Sequence, residues 1–269
     1  MAGTYRDALS MRDRAKELGK HLHIQLALLY TDETRAAKEL IAADELGKVY
    51  HARSTGFRRR GRPFVDGYGK PQFVQKPVSG GGALYDMGVY HISQMLYLLG
   101  NPTVQRVTGQ TCQKIEMDAA RRESSGYSVE ELGLGFVHFA NNVTLDIIEA
   151  WAINLNGIEG SVVVGSKGGV RLDPFGFFRS YGDLDVDGEA NMKGANFRWN
   201  NVRGDGAVYG SSQAHWIAAL QGKVPLLPTA DIALNTMLIS EAIYLSSQRG
   251  AEVTAEEVAS ASLSKALPL

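Results

Sequence analysis

The sequence has little cysteine, no long apolar run and no excess of either charge. Cys112 is the sole cysteine among 269 residues, so no intramolecular disulfide and no thiolate metal cluster can form, and a reducing cytoplasm is the expected location. No stretch approaches the roughly 18 to 20 apolar residues that span a bilayer. The N-terminus has no h-region followed by a small-residue cleavage site. With 28 Lys and Arg against 29 Asp and Glu, the formal net charge is -1, which gives no pull toward nucleic acid or an anionic membrane. Neither is an expected partner. Only Arg58-Arg59-Arg60 with Arg62 departs from that balance; it reads as a solvated loop, with contact to an anionic substrate as the alternative. What remains is 44% hydrophobic, enough to bury a core in one large domain or two small ones.

The opening segment, 4–18, has apolar or small residues at Ala8, Met11, Ala15 and Leu18. That is a helical spacing, and Gly19 closes it. The apolar run 21–30 reads as a buried strand, and 35–43 returns to helical character. This α, β, α order suggests the tail of a doubly wound domain. From Val49 the texture becomes strand-like, over 49–57, 103–111, 127–139, 143–151, 158–164 and 170–172. Short turns between these segments imply an α+β fold, with an open, mostly antiparallel sheet and helices on one face. The helices are expected at 88–99, 212–220 and 230–248. Residues 175–210, rich in Gly, Asp and Asn, read as long loops. The other sheet face, taken to carry Ile147 and Val163, is expected to be covered by a second copy of the chain, giving a homo-oligomer.

The most specific segment runs from Gly80-Gly81-Gly82 through Asp86, Tyr90, His91 and Ser93 to Gly100. At roughly 100° per residue, Asp86, Tyr90, Ser93 and Tyr97 share one stripe, whereas His91 lies about 140° from Asp86. One reading is a helix start capped by Asp86; the other is a polar face lining a site. The glycine triplet reads as a turn, since the Lys-Ser/Thr of a phosphate cradle does not follow it. Lys76, in the preceding loop, reads as exposed, with a substrate contact as the alternative. His215-Trp216 at a helix start offers an imidazole and an aromatic surface to a sugar, with core packing of Trp216 as the other reading. His21 and His23 have no third ligand nearby, and no metal is expected.

The pattern G-G-G-x-L-x-D-x-G followed by L-x-x-L-L-G resembles the signature helix of the Gfo/Idh/MocA oxidoreductase family. Three further segments are similar to that family in the same order: Arg35 to Ile41 with Glu45 to Lys48, Val164 to Gly169, and His215-Trp216-Ile217 with Pro225. The resemblance implies hydride transfer between a sugar or polyol carbinol and NAD or NADP. It also implies a substrate held between a Rossmann domain and this sheet. Asp86 matches the family's reactive aspartate, and Tyr90 the position four residues later, so these two are the expected catalytic residues. Ser93, Lys76, His91 and His215 are expected around the substrate. The family's E-K-P lysine and glycine-rich nucleotide turn are not found, so cofactor-binding residues are unassigned. Residues 1–30 then read as a remnant of a dinucleotide-binding domain, its last helix and strand, and 31–269 as the substrate-binding and oligomerisation sheet domain. The alternative is a non-catalytic carbohydrate-binding or oligomerisation module.

Overall fold

A computed structural model describes residues 1–266. Nine strands form one sheet: β1 (Val49–Phe57), β2 (Val104–Cys112), β3 (Leu132–Phe139), β4 (Thr144–Ala150), β5 (Val162–Gly165), β6 (Gly169–Leu172), β7 (Phe175–Tyr181), β8 (Leu184–Gly188) and β9 (Val253–Thr254). Their spatial order is β8-β7-β6-β5-β1-β4-β3-β2-β9. β1 runs parallel to β4 and every other pair is antiparallel. This is the open, mostly antiparallel sheet read from the turn spacing.

Eleven α-helical segments lie among the described residues: α1 (Tyr5–Glu17), α2 (Asp32–Ala42), α3 (Lys76–Ser79), α4 (Ala83–Asp86), α5 (Gly88–Leu98), α6 (Ala119–Ser125), α7 (Met192–Arg198), α8 (Gly206–Tyr209), α9 (Ser212–Leu220), α10 (Thr229–Arg249) and α11 (Ala255–Ala261). Alternation along the strands sends Ala52, Val107, Val137, Leu145, Ile147, Val163 and Val170 to one face. There they meet Ile92, Met95 and Leu96 of α5 and Ile232, Ile239 and Ile243 of α10. Burying a large aliphatic side chain stabilises by about 1.5–3 kcal/mol, so this layer is the main reason the helices stay on the sheet. Two glycines set its spacing. A Cβ on Gly109 of β2 or Gly135 of β3 would lie 2.8 Å or 2.6 Å from Ile243 atoms, so α10 approaches the sheet backbone directly.

Four expectations are corrected. Residues 21–30 form no strand; 21–26 have no regular secondary structure and a 3₁₀ turn follows at Ala27–Tyr30. A continuous apolar run does not distinguish a strand from other buried chain, and among the described residues no strand pairs with this one. Ile147 and Val163 face the helices, not solvent; the open face carries Leu134 and Phe136, 36% and 38% exposed. Residues 175–188 form the edge hairpin β7–β8, and α7 and α8 follow it. Arg62 belongs to no solvated loop: it is 0% exposed, paired with Asp66 at 2.8 Å and Glu131 at 3.0 Å. Its guanidinium also donates to the Ile115 and Glu116 carbonyls.

Helix α1 starts at Thr4, whose hydroxyl accepts from the Asp7 amide as an N-cap. Its Ala8 packs against Leu234 and Met237 of α10. Residues 1–18 therefore share a small core with the sheet domain's longest helix.

Candidate active site

The glycine triplet is built around a protein carboxylate. Gly82 N–H donates to both carboxylate oxygens of Glu130 and Leu84 N–H to one, each at 3.0 Å. Glu130 thus serves the free amides at the start of α4. Burial pushes its carboxyl pKa up, against the lowering effect of these donors and of the Tyr244 hydroxyl. A Cβ on Gly82 would lie 2.1 Å from the Glu130 carbonyl oxygen. The triplet is therefore the turn expected from its sequence, filled by protein atoms.

α4 ends at Asp86, Met87 caps it, and α5 begins at Gly88. Asp86 and His91 stand on either side of this junction, whose residue Met87 is itself in the right-handed helical region (φ -95°, ψ -42°). Both residues, with Tyr90, Arg58, Thr55 and Asp173, line one cavity of about 460 Å³. Trp151, 0% exposed at the end of β4, donates its indole N–H to Asp86 Oδ2 at 2.9 Å, and the Arg58 guanidinium stands 3.7 Å from the same oxygen. These two groups fix the carboxylate at the rim, where Tyr90 is exposed. Below them, His91 Nδ1 lies 3.0 Å from Glu149 Oε2, and Ser54 Oγ donates to Glu149 Oε1 at 3.0 Å. Burial draws the His91 pKa down, but the hydrogen bond and charge of Glu149 outweigh it and leave the imidazole above its ordinary value.

The other expected contacts lie elsewhere. Ser93 is fully buried and its hydroxyl donates to the Tyr90 carbonyl at 3.0 Å, so it faces its own helix. Lys76 is exposed, as expected, but opens the short helix α3 rather than lying in a loop. Its Nζ stands 5.3 Å over the Tyr244 ring and borders a separate cavity of about 320 Å³ with Tyr127 and Glu130. His215 is fully buried; its Nε2 accepts from the Leu227 amide at 3.0 Å and its ring stacks on Tyr209. It ties the start of α10 to α9 and lies outside the cavity that holds Asp86. Trp216 is half-buried and stacks on His23, with ring centroids 5.1 Å apart. Sequence reasoning missed Glu149, Trp151 and the place of Arg58. One signal was available for Glu149: it shares the parity of Leu145 and Ile147, which marks a charged residue pointing into the core.

Residues 34–171 match the profile of the GFO/IDH/MocA C-terminal domain. D-glucoside 3-dehydrogenase from Escherichia coli (strain K12) is 27% identical over 259 residues, covering 94% of this chain and 70% of its own length. Among solved structures, the aldose-aldose oxidoreductase from Caulobacter crescentus complexed with glycerol superimposes with a TM-score of 0.66 at 21% identity, over 94% of this chain and 70% of that one. An oxidoreductase from Agrobacterium radiobacter in complex with NAD+, L-tartaric acid and magnesium gives a TM-score of 0.70 at 17% identity, over 95% and 71%. At these identities the two structures show a shared fold.

Proposed function

The chain belongs to the GFO/IDH/MocA oxidoreductase family, and from that premise we propose that it supplies the substrate side of an NAD(P)-dependent oxidoreductase acting on a sugar or polyol hydroxyl, or on the matching ketone. The observation that carries this reading is the convergence of Asp86, Tyr90 and His91 on one cavity. A carbinol being oxidised must lose its hydroxyl proton, and the site needs a proton acceptor beside groups that orient the sugar. Asp86, held by Trp151 and Arg58, accepts a hydrogen bond from one hydroxyl; Tyr90 on the same rim engages a neighbouring one. The relative named D-glucoside 3-dehydrogenase makes a glucoside the first substrate to try.

The hydride acceptor in such a reaction is a nicotinamide coenzyme, and the Agrobacterium radiobacter structure was solved with NAD+. The glycine-rich segment of this chain does not fit a pyrophosphate: its Gly82 amide is taken by Glu130, whose carboxyl occupies the place an anion would take. Residues 1–30, packed on α10 through Ala8, are read as the end of a dinucleotide-binding domain. The same observation on Gly82 favours a second reading, a carbohydrate-binding or oligomerisation module without turnover. In either case a second copy is proposed to cover the open sheet face at Leu134 and Phe136, giving a homo-oligomer. No helix among the described residues is long and apolar enough to cross a membrane, and a cytoplasmic location is part of the proposal.

The test is fluorescence titration of the chain with NADH and NADPH, then turnover of methyl glucosides, hexoses and inositols. Saturable coenzyme binding with turnover, lowered roughly 10²- to 10⁴-fold in Asp86→Asn, supports the oxidoreductase. Sugar binding without coenzyme binding at millimolar concentration supports the module.

A further inference from the structure

We propose that a second, apolar cavity bordered by Asp86 is an aglycone subsite, and that it selects glycosides carrying an uncharged aromatic group. The proposal rests on the sugar reading above. Asp86 lines two cavities: the polar one with Tyr90 and His91, and another of about 360 Å³ with Phe73, Val78, Gly81, Tyr85 and Trp151. A sugar hydroxyl bonded to this carboxylate stands where the two cavities meet, and a substituent on the sugar extends into the second. Phe73 and Val78 are 52% and 64% exposed. Two apolar side chains open to water on the wall of one concavity form the kind of surface that a ligand covers.

The walls are fixed by contacts of the protein itself. Val74, between Phe73 and Val78, is 0% exposed and packs with Val65, Ala83, Met87 and Trp151. Gln75 Nε2 donates to the Ser125 carbonyl at 2.8 Å, and the Lys76 amide donates to Ser128 Oγ at 3.0 Å. The segment 71–79 is thus anchored at its middle while its two apolar side chains stay out. The Tyr85 ring is set edge-on against Tyr244, with centroids 5.7 Å apart. A Cβ on Gly81 would lie 2.3 Å from the Tyr244 hydroxyl and 3.0 Å from Tyr85 Cγ, so a side chain there would push against that pair. Charge then sets the class of the substituent. Among the described residues Asp86 is the only charged group lining this cavity; Arg58 lines the polar one, and Lys76 borders the cavity with Tyr127 and Glu130. A nucleoside diphosphate or other anionic group entering it would be desolvated beside a carboxylate with no cation to pair it. An aromatic ring meets no such penalty. A cavity of roughly 150 Å³ already holds benzene, so the 360 Å³ here admit one substituted ring.

The experiment is calorimetric titration of the full chain with methyl glucoside, phenyl glucoside and UDP-glucose, the first two as both anomers. It is read together with the Val78 methyl signals in ¹H–¹³C NMR, assigned through the backbone. The expected result is that phenyl glucoside binds roughly 10- to 100-fold more tightly than methyl glucoside, with a more negative heat-capacity change. Its ring shifts the Val78 methyl signals, and methyl glucoside leaves them in place. UDP-glucose gains nothing over methyl glucoside. In the double variant Phe73→Ser with Val78→Ser the phenyl preference falls to about threefold or less, while methyl glucoside binds within about twofold of the unmodified chain. Equal affinities for the two glucosides overturn the proposal and leave the sugar reading standing. Val78 signals that ignore the phenyl group overturn it too, and that readout needs no variant to fold. A preference that survives in the double variant puts the ring elsewhere, and an equal gain for UDP-glucose refutes the uncharged aromatic class. A preference that NADH abolishes while methyl glucoside still binds gives the cavity to the nicotinamide and overturns the proposal as well. If neither glucoside binds, the sugar reading fails and takes the subsite with it.

Discussion

Ile243 sits at the point where α10 touches the sheet, and replacing the two glycines beneath it gives different outcomes that can be told apart. In Gly109→Ala the new Cβ would meet Ile243 Cγ2 at 2.8 Å and Ile243 Cα at 2.9 Å; in Gly135→Ala it would meet the side-chain tip, Cδ1, at 2.6 Å. A side-chain tip can swing aside, but a helix backbone atom moves only with the helix. Gly109 is held further by its N–H donating to Ser246 Oγ of the same helix at 2.9 Å. Overpacking costs about 1–3 kcal/mol, and replacing a strand glycine by alanine returns about 0.5–1 kcal/mol of chain entropy. Gly109→Ala is therefore expected to lose about 1–2 kcal/mol and Gly135→Ala less than about 1 kcal/mol. Ile243→Ala alone costs about 2–5 kcal/mol. In its background Gly135→Ala turns stabilising, since its methyl enters the vacated space, whereas Gly109→Ala keeps its penalty because the Cα remains. Urea melts with a constant m-value give all six stabilities needed for the two cycles. Equal losses for the two glycine variants, or equal relief of both by Ile243→Ala, would refute the close-approach argument.

Three further outcomes are expected. Arg62→Ala removes the cation between Asp66 and Glu131 and destabilises by about 3–5 kcal/mol; a urea midpoint within error of the parent contradicts the buried network. His215 is fully buried, and burial first, then His23, holds its pKa below the ordinary value. A lowered pKa means that the unfolded chain binds the proton more readily. Its contribution is thus complete above about pH 6.5 and is lost as pH falls toward the folded value; His215→Asn flattens the urea stability slope between those limits, and an unchanged slope assigns the pH dependence to other groups. Trp151→Phe keeps the ring but removes the donor to Asp86 Oδ2. A hydrogen bond to a charged group contributes about 1.5–3 kcal/mol, so sugar kcat/KM should drop by 10- to 100-fold, and a full retention of turnover would show that the indole does not orient Asp86.

The parts of the fold that the sequence discloses are those where one physical signal dominates. The ranges of β1, β2, β4 and α10 come out within a residue or two, because turn residues bound the strands and Gly250, in the left-handed region, ends the helix. The hairpin β7–β8 lies at the sheet edge; its second strand, Leu-Asp-Val-Asp-Gly, alternates over only two apolar residues and buries none, too short a signal among the surrounding Gly, Asp and Asn to mark a strand. Residues 21–30 mislead for the opposite reason: Leu26, Leu29 and Tyr30 are buried against α-helices, and burial alone carries no period that specifies a strand. The site divides in the same way. Asp86 and Tyr90, which the motif carries, line one cavity. His91, expected around the substrate although a regular helix sets it about 140° from Asp86, lines the same cavity as Asp86. Glu149, Trp151 and Arg58 come from a distant strand and a loop and meet Asp86 and His91 only through the β1–β4 parallel pairing. That pairing joins segments about ninety residues apart, and no local pattern encodes it; parity alone could flag Glu149 as a buried charge in search of a donor, which His91 Nδ1 meets at 3.0 Å.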